Sequence, residues 1–137
     1  MKNLTGLMIM MLFSTMIGFG QTKQNAGASK PKLEVLYFHA TMRCATCNAI
    51  ENNAVKLLLK DFKSQMENGQ IKFSSFNVDE SANKALVEKY QISFSTLLLI
   101  KSDGTKIDFT RNGFLYALAN PDKYESLLKT EIEKILK

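Results

Sequence analysis

Leu33, Val35, Leu36, Tyr37 and Phe38 make a nearly continuous apolar run, the pattern of a strand covered on both faces. From Cys44 to Met66 the rhythm changes: Ile50, Ala54, Leu57, Leu58 and Phe62 recur at three and four residues, which predicts an amphipathic helix, and Asn68-Gly69 supplies its stop. Ile71, Phe73, Phe76 and Val78 mark a second strand over 71–78, and Asp79 and Ser81 are placed to cap a helix running to about Tyr90. Thr96 to Ile100 again has the pattern of a buried strand. Ser102-Asp103-Gly104 predicts a hairpin turn, and Lys106 to Thr110 alternates as an antiparallel edge strand does. In the last segment Asn120 is a helix cap and Pro121 takes the first helical position; Tyr124, Leu127, Leu128, Ile132 and Ile135 form one apolar stripe. The expected order is β-α-β-α-β-β-α, with Phe114 and Tyr116 in a loop before the last helix.

The residues before Leu33 do not fit this rhythm. Lys2 provides a positive start, Leu4 to Phe19 is apolar and uncharged, and Gly18-Phe19-Gly20 offers small residues where a signal peptidase reads them. Residues 1–20 are therefore read as a signal peptide cut after Gly20, with a retained membrane anchor as the alternative. No cysteine follows the run, so a lipoprotein is not expected. Residues 21–32 are polar, contain Gly27, Ser29 and Pro31, and are read as a flexible leader to a domain over 33–137.

Composition narrows the function classes. With 137 residues, 45% of them hydrophobic, the chain can build one core and hardly two. The net charge of +5 comes from lysines spread along the chain, with no basic block and no tryptophan, which argues against a nucleic-acid surface. Outside the N-terminal run and the initiating residue, only Met42 and Met66 remain of the methionines, too few for a copper-binding methionine cluster. Met42 lies beside the cysteines and is placed to line a substrate groove.

The chemistry concentrates at Cys44-Ala45-Thr46-Cys47, which holds both cysteines of the chain where the first strand meets the first helix. Two intervening residues put both sulfurs in the first helical turn, within reach of a disulfide. The free N–H groups and partial positive charge of a helix N-terminus favour a thiolate at the first cysteine. The spacing reads as a redox pair, the alternatives being an inert structural disulfide or buried thiols. Zinc ribbons also carry the spacing, but they need a second ligand pair and this chain offers only His39.

With a CxxC opening the first helix of that element order, the stretch from Leu33 to Leu136 resembles the thioredoxin superfamily. Tyr90-Gln91-Ile92-Ser93-Phe94-Ser95-Thr96-Leu97 is similar to the family's segment leading into the strand after the second helix. The resemblance implies an α/β fold, a central mixed sheet flanked by helices, and thiol–disulfide exchange in which Cys44 attacks and Cys47 resolves. Cys44, at the helix tip, should be the exposed and more acidic thiol; the positive charge of Arg43 would lower its pKa further, the other reading of Arg43 being a side chain that points into solvent. No cofactor is expected.

Three positions depart from the family pattern. The cis-proline that usually faces the cysteines aligns with Ser95, where a cis bond would cost about 2.5 to 4 kcal/mol, so a trans bond is expected. That leaves the Ser95 hydroxyl free to donate to Cys44. The buried acid of many thioredoxins aligns with Phe38 and its lysine partner with Ser75, so both charges are missing together. Without that acid, Cys47 either acts without a base or draws on the nearby candidates His39, Thr41 and Thr46, histidine being the side chain whose unperturbed pKa suits proton transfer. The other reading of His39 is a strand end packed in place, and of Thr46 a residue filling the helix tip.

Two functions of different class follow. The first is a periplasmic or secreted thiol–disulfide oxidoreductase, monomeric and without a stable membrane span once cleaved. It would act on a disulfide-containing protein or small thiol and be reset by a separate redox partner. The second is a binding protein for a soft metal or metalloid with Cys44 and Cys47 as ligands, for which a serine facing the sulfurs leaves more room than a proline ring.

Overall fold

The computed structural model describes residues 30–137, so the signal-peptide reading and most of the leader lie outside the described residues. Four strands form one mixed sheet: β1 (Leu33–His39), β2 (Ile71–Asn77), β3 (Thr96–Lys101) and β4 (Lys106–Asp108), in the spatial order β2-β1-β3-β4. β1 runs parallel to β2 and antiparallel to β3, and β4 closes an antiparallel hairpin with β3. α1 (Ala45–Asp61) and α2 (Lys63–Glu67) make the crossover between β1 and β2; α3 (Lys84–Tyr90), α4 (Thr110–Tyr116) and α5 (Pro121–Leu136) follow. Lys32 meets the β3–β4 turn, its carbonyl accepting from the Ser102 N–H at 3.1 Å.

The central position of β1 explains its unbroken apolar run. Strand alternation sends Leu33, Val35 and Tyr37 to one face, where they join Ile50, Ala54, Leu57 and Leu58 of α1 and Tyr124, Leu128 and Ile132 of α5. Leu36 and Phe38 go to the other face with Leu98 and Ile100, under Leu86, Val87 and Tyr90 of α3. Each buried Leu or Ile contributes about 1.5–3 kcal/mol, so the two covered faces fix β1 in its register.

Several boundaries differ from the sequence expectation. The helix expected from Cys44 to Met66 is broken at Phe62, whose backbone (φ −126°, ψ 21°) leaves the helical region while its ring stays in the core. Periodicity cannot show this break because the apolar spacing continues through it. Asp79 and Ser81 do not cap α3: a short 3₁₀ turn at Ser81–Asn83 leads into it, and the Asp79 carboxylate instead accepts from the Thr41 N–H at 2.7 Å. β4 ends at Asp108, and the expected loop holding Phe114 and Tyr116 is α4. Glycine in mid-helix and the lack of a capping side chain hide α4 in the sequence. Packing supplies the reason for it: a Cβ at Gly113 would meet Ile50 at 3.0 Å, so the glycine lets α4 press onto α1. Asn53 Nδ2 donates to the Ala117 carbonyl at 2.8 Å and fixes that contact.

Candidate active site at the N-terminus of α1

Cys44 and Cys47 are joined in a disulfide, with Cα atoms 5.1 Å apart. Cys44 is the N-cap of α1: its backbone is extended (φ −76°, ψ 164°), and its sulfur accepts from the Cys47 N–H at 3.1 Å. The first turn carries no acidic residue, so nothing there offsets the positive end of the helix beside the sulfur. Cys44 is exposed and Cys47 is 8% exposed, one turn deeper. Met42 and Phe94, 90% and 63% exposed, stand in the loops leading to Cys44 and Ser95 and give the surroundings an apolar surface.

The ground behind Cys47 comes from other elements. Tyr37 is fully buried beneath α1 and its hydroxyl donates to the Cys47 carbonyl at 2.8 Å. Ser95 Oγ donates to Cys47 Sγ at 3.6 Å, so the hydroxyl expected at Cys44 serves the other cysteine. No cis peptide bond occurs among the described residues, and the bond before Ser95 is trans as its chemistry requires. Phe38, aligned above with the family's buried acid, faces α3; the residue beneath the cysteines is its neighbour Tyr37, because adjacent strand positions point to opposite faces.

Arg43 does not act as a free positive charge beside Cys44. Its guanidinium pairs with Glu51 and lies over the Tyr37 ring, 5.6 Å from the centroid. Burial would lower the Arg43 pKa, but the hydrogen bond and charge of Glu51 outweigh it and the pKa is raised. Burial likewise works to raise the Glu51 pKa, and hydrogen bonds from Ser75 and Arg43, with the charges of Arg43 and His39, hold it below the usual value. Burial pushes the Tyr37 phenol up, against the opposing pull of Arg43 and of the nearby Ser95 hydroxyl. The charged pair that the site does hold is Arg43–Glu51, packed against the Tyr37 ring. Glu51 escapes notice in the sequence, yet its position four residues after Cys47 puts it on the same side of α1.

The remaining candidates are held elsewhere. His39 Nδ1–H donates to the Ala40 carbonyl at 2.9 Å, and the ring stacks on Tyr37 at 6.0 Å. Thr46 is half-buried between the cysteines. Thr41 accepts from Asn77 Nδ2 at 3.0 Å and, through its N–H, holds Asp79, tying the loop before Cys44 to the end of β2. Phe114 is 42% exposed, while Tyr116 packs against the core with Lys123 Nζ over its ring at 4.2 Å.

A parallel β1-α1-β2 unit, an antiparallel β3–β4 hairpin added beside β1, and a CxxC disulfide capping α1 together decide the class. The fold is thioredoxin-like. No family model matches the chain, and no curated protein matches it. Among solved structures, one described as a malarial protein is 22% identical and covers 72% of this chain and 96% of its own, with a TM-score of 0.46. The X-ray structure of Fasciola hepatica thioredoxin is 29% identical, covers 58% of this chain and 66% of its own, and gives a TM-score of 0.42. Both overlaps are partial, and the thioredoxin-like assignment stands on the strand order and the cysteine placement.

Proposed function

We propose that this thioredoxin-like chain is a thiol–disulfide oxidoreductase of the cell envelope that cycles the Cys44–Cys47 pair between disulfide and dithiol. One observation carries the reading: the two sulfurs are bonded across the first turn of α1, with Cys44 exposed at the positive helix end and Cys47 buried behind it. In the reducing direction the Cys44 thiolate attacks a substrate disulfide and displaces one sulfur as thiolate. Cys47 then attacks Cys44 and releases the second, leaving the Cys44–Cys47 disulfide. The oxidising direction is the reverse. Met42 and Phe94 offer an apolar rim to a disulfide-bearing peptide, and a separate dithiol or disulfide partner resets the pair. The uncharged run Leu4–Phe19 supports export to a compartment where disulfides persist, and among the described residues no helix is long and apolar enough to cross a membrane.

Reduced protein should cleave the disulfides of a protein substrate with no metal present. Cys47→Ser should hold a mixed disulfide on Cys44, seen as a mass increase that dithiothreitol removes, and Cys44→Ser should hold almost none. Failure of the wild-type chain to exchange disulfides, or equal trapping by both variants, would reject the reading.

A second reading, binding of a soft metal or metalloid by the reduced sulfurs, draws on Ser95, which leaves no proline ring against Cys47. The donor set is thin: among the described residues no group of three His, Cys, Asp or Glu side chains is placed to hold a metal ion. Ser95→Pro should weaken titration of zinc or trivalent arsenic into the reduced protein if Ser95 opens the site, and equal affinity would remove that support.

A further inference from the structure

Cys47 has no carboxylate of the thioredoxin kind behind it, and the side-chain group that reaches its sulfur is the Ser95 hydroxyl. Ser95 Oγ lies 3.6 Å from Cys47 Sγ, and the Tyr37 hydroxyl is spent on the Cys47 carbonyl at 2.8 Å. A serine hydroxyl carries one proton and can rotate to whichever acceptor is stronger. A disulfide sulfur is a weak acceptor and a thiolate a strong one.

We propose that Ser95 is the positioning residue that stabilises negative charge on Cys47 whenever the Cys44–Cys47 bond opens or re-forms, in place of a buried acid. The inference rests on the exchange function proposed above and adds the group that makes Cys47 a competent leaving and attacking sulfur. When an external dithiol reduces the protein, its thiolate attacks Cys44 Sγ, a Cys44–substrate disulfide forms, and the Cys44–Cys47 bond breaks. The electron pair moves to Cys47 Sγ, which leaves as a thiolate accepting the Ser95 hydrogen bond. The second thiol of the dithiol, deprotonated by solvent, then attacks its own sulfur in the mixed disulfide and expels Cys44. The dithiol ends oxidised and both cysteines reduced. In the opposite direction the same hydrogen bond holds the Cys47 thiolate that attacks the mixed disulfide on Cys44.

The geometry separates the two cysteines. Cys44 draws on the N–H of Cys47 at the helix tip, a backbone group that no side-chain change at position 95 removes. Cys47 draws on Ser95, a residue of the loop leading into β3. Loss of the hydroxyl therefore acts on one sulfur only.

The test uses Ser95→Ala and Ser95→Thr in the full chain. Thiolate absorbance against pH, read in a Cys44→Ser background, should place the Cys47 midpoint about one pH unit higher with Ser95→Ala and close to the parent with Ser95→Thr, the size expected for losing a hydrogen bond to a charged acceptor. Reduction of the Cys44–Cys47 disulfide by dithiothreitol at fixed pH should be roughly five- to tenfold slower in Ser95→Ala, since a less acidic thiol leaves more slowly. The Cys44 midpoint, read in a Cys47→Ser background, should not move. An unchanged Cys47 midpoint and reduction rate, equal effects of alanine and threonine, or a matching shift at Cys44 would each overturn the proposal. Because the parent chain's own exchange is measured alongside, loss of the oxidoreductase reading itself would show separately, as a parent disulfide that never turns over.

Discussion

The two cysteines sit three residues apart, yet they live in differently built surroundings. Cys44 is served by the backbone: the Cys47 N–H at the start of α1 reaches its sulfur whatever the neighbouring side chains are. Cys47 is served by side chains from β1 and the loop before β3, namely Tyr37 and Ser95, with the Arg43–Glu51 pair packed against the Tyr37 ring. The contrast teaches that a helix tip supports its sulfur through local backbone groups alone. Supporting the deeper sulfur needs groups that only the assembled fold brings together.

The sharpest way to break the contrast is to unbalance the Arg43–Glu51 pair. Glu51→Gln should destabilise the protein by about 2 kcal/mol at pH 7, because it leaves a partly buried guanidinium without its counter-charge; urea unfolding would measure it. The effect has a pH signature. Glu51 is held below its ordinary value in the folded state, so its contribution is present above the unfolded-state value of about 4.3 and is lost as pH falls through the lower folded value. Stability of Glu51→Gln should accordingly fall less steeply than that of the parent below about pH 4.5.

Next in size, Tyr37→Phe removes the donor to the Cys47 carbonyl and should cost about 1–2 kcal/mol, read by thermal or urea unfolding. On the opposing view that Tyr37 is only filling space, the loss would be near zero, since the ring remains.

A third change sharpens the comparison from the Cys44 side. Because the Arg43 charge is matched by Glu51, Arg43→Ala should move the Cys44 alkylation midpoint by less than about half a unit. A rise of one unit or more would restore Arg43 as the activating charge. The smallest effect belongs to Gln91, the non-glycine residue at positive φ (57°), which ends α3 in a left-handed turn ahead of Ser95. Gln91→Gly should raise stability by about 0.5 kcal/mol, the relief of Cβ strain exceeding the entropy cost, as seen in the thermal midpoint.

Much of this architecture is written in local patterns. The apolar run at Leu33–Phe38, the turn glycines Gly69 and Gly104 at positive φ, and the Asn120-Pro121 start of α5 are features that neighbouring residues impose on one another. The CxxC spacing likewise fixes a disulfide across one helical turn with Cys44 outermost, because helix geometry alone sets that relation. The tertiary structure decided the rest. Whether Tyr37 or Phe38 lies beneath the cysteines depends on which sheet face α1 covers, and a one-residue step reverses it. Arg43 finds Glu51, and Ser95 finds Cys47 rather than Cys44, because loop and helix meet only when the sheet is formed. Formation of α4 around Gly113 follows from the space left beside Ile50, which no window of sequence contains.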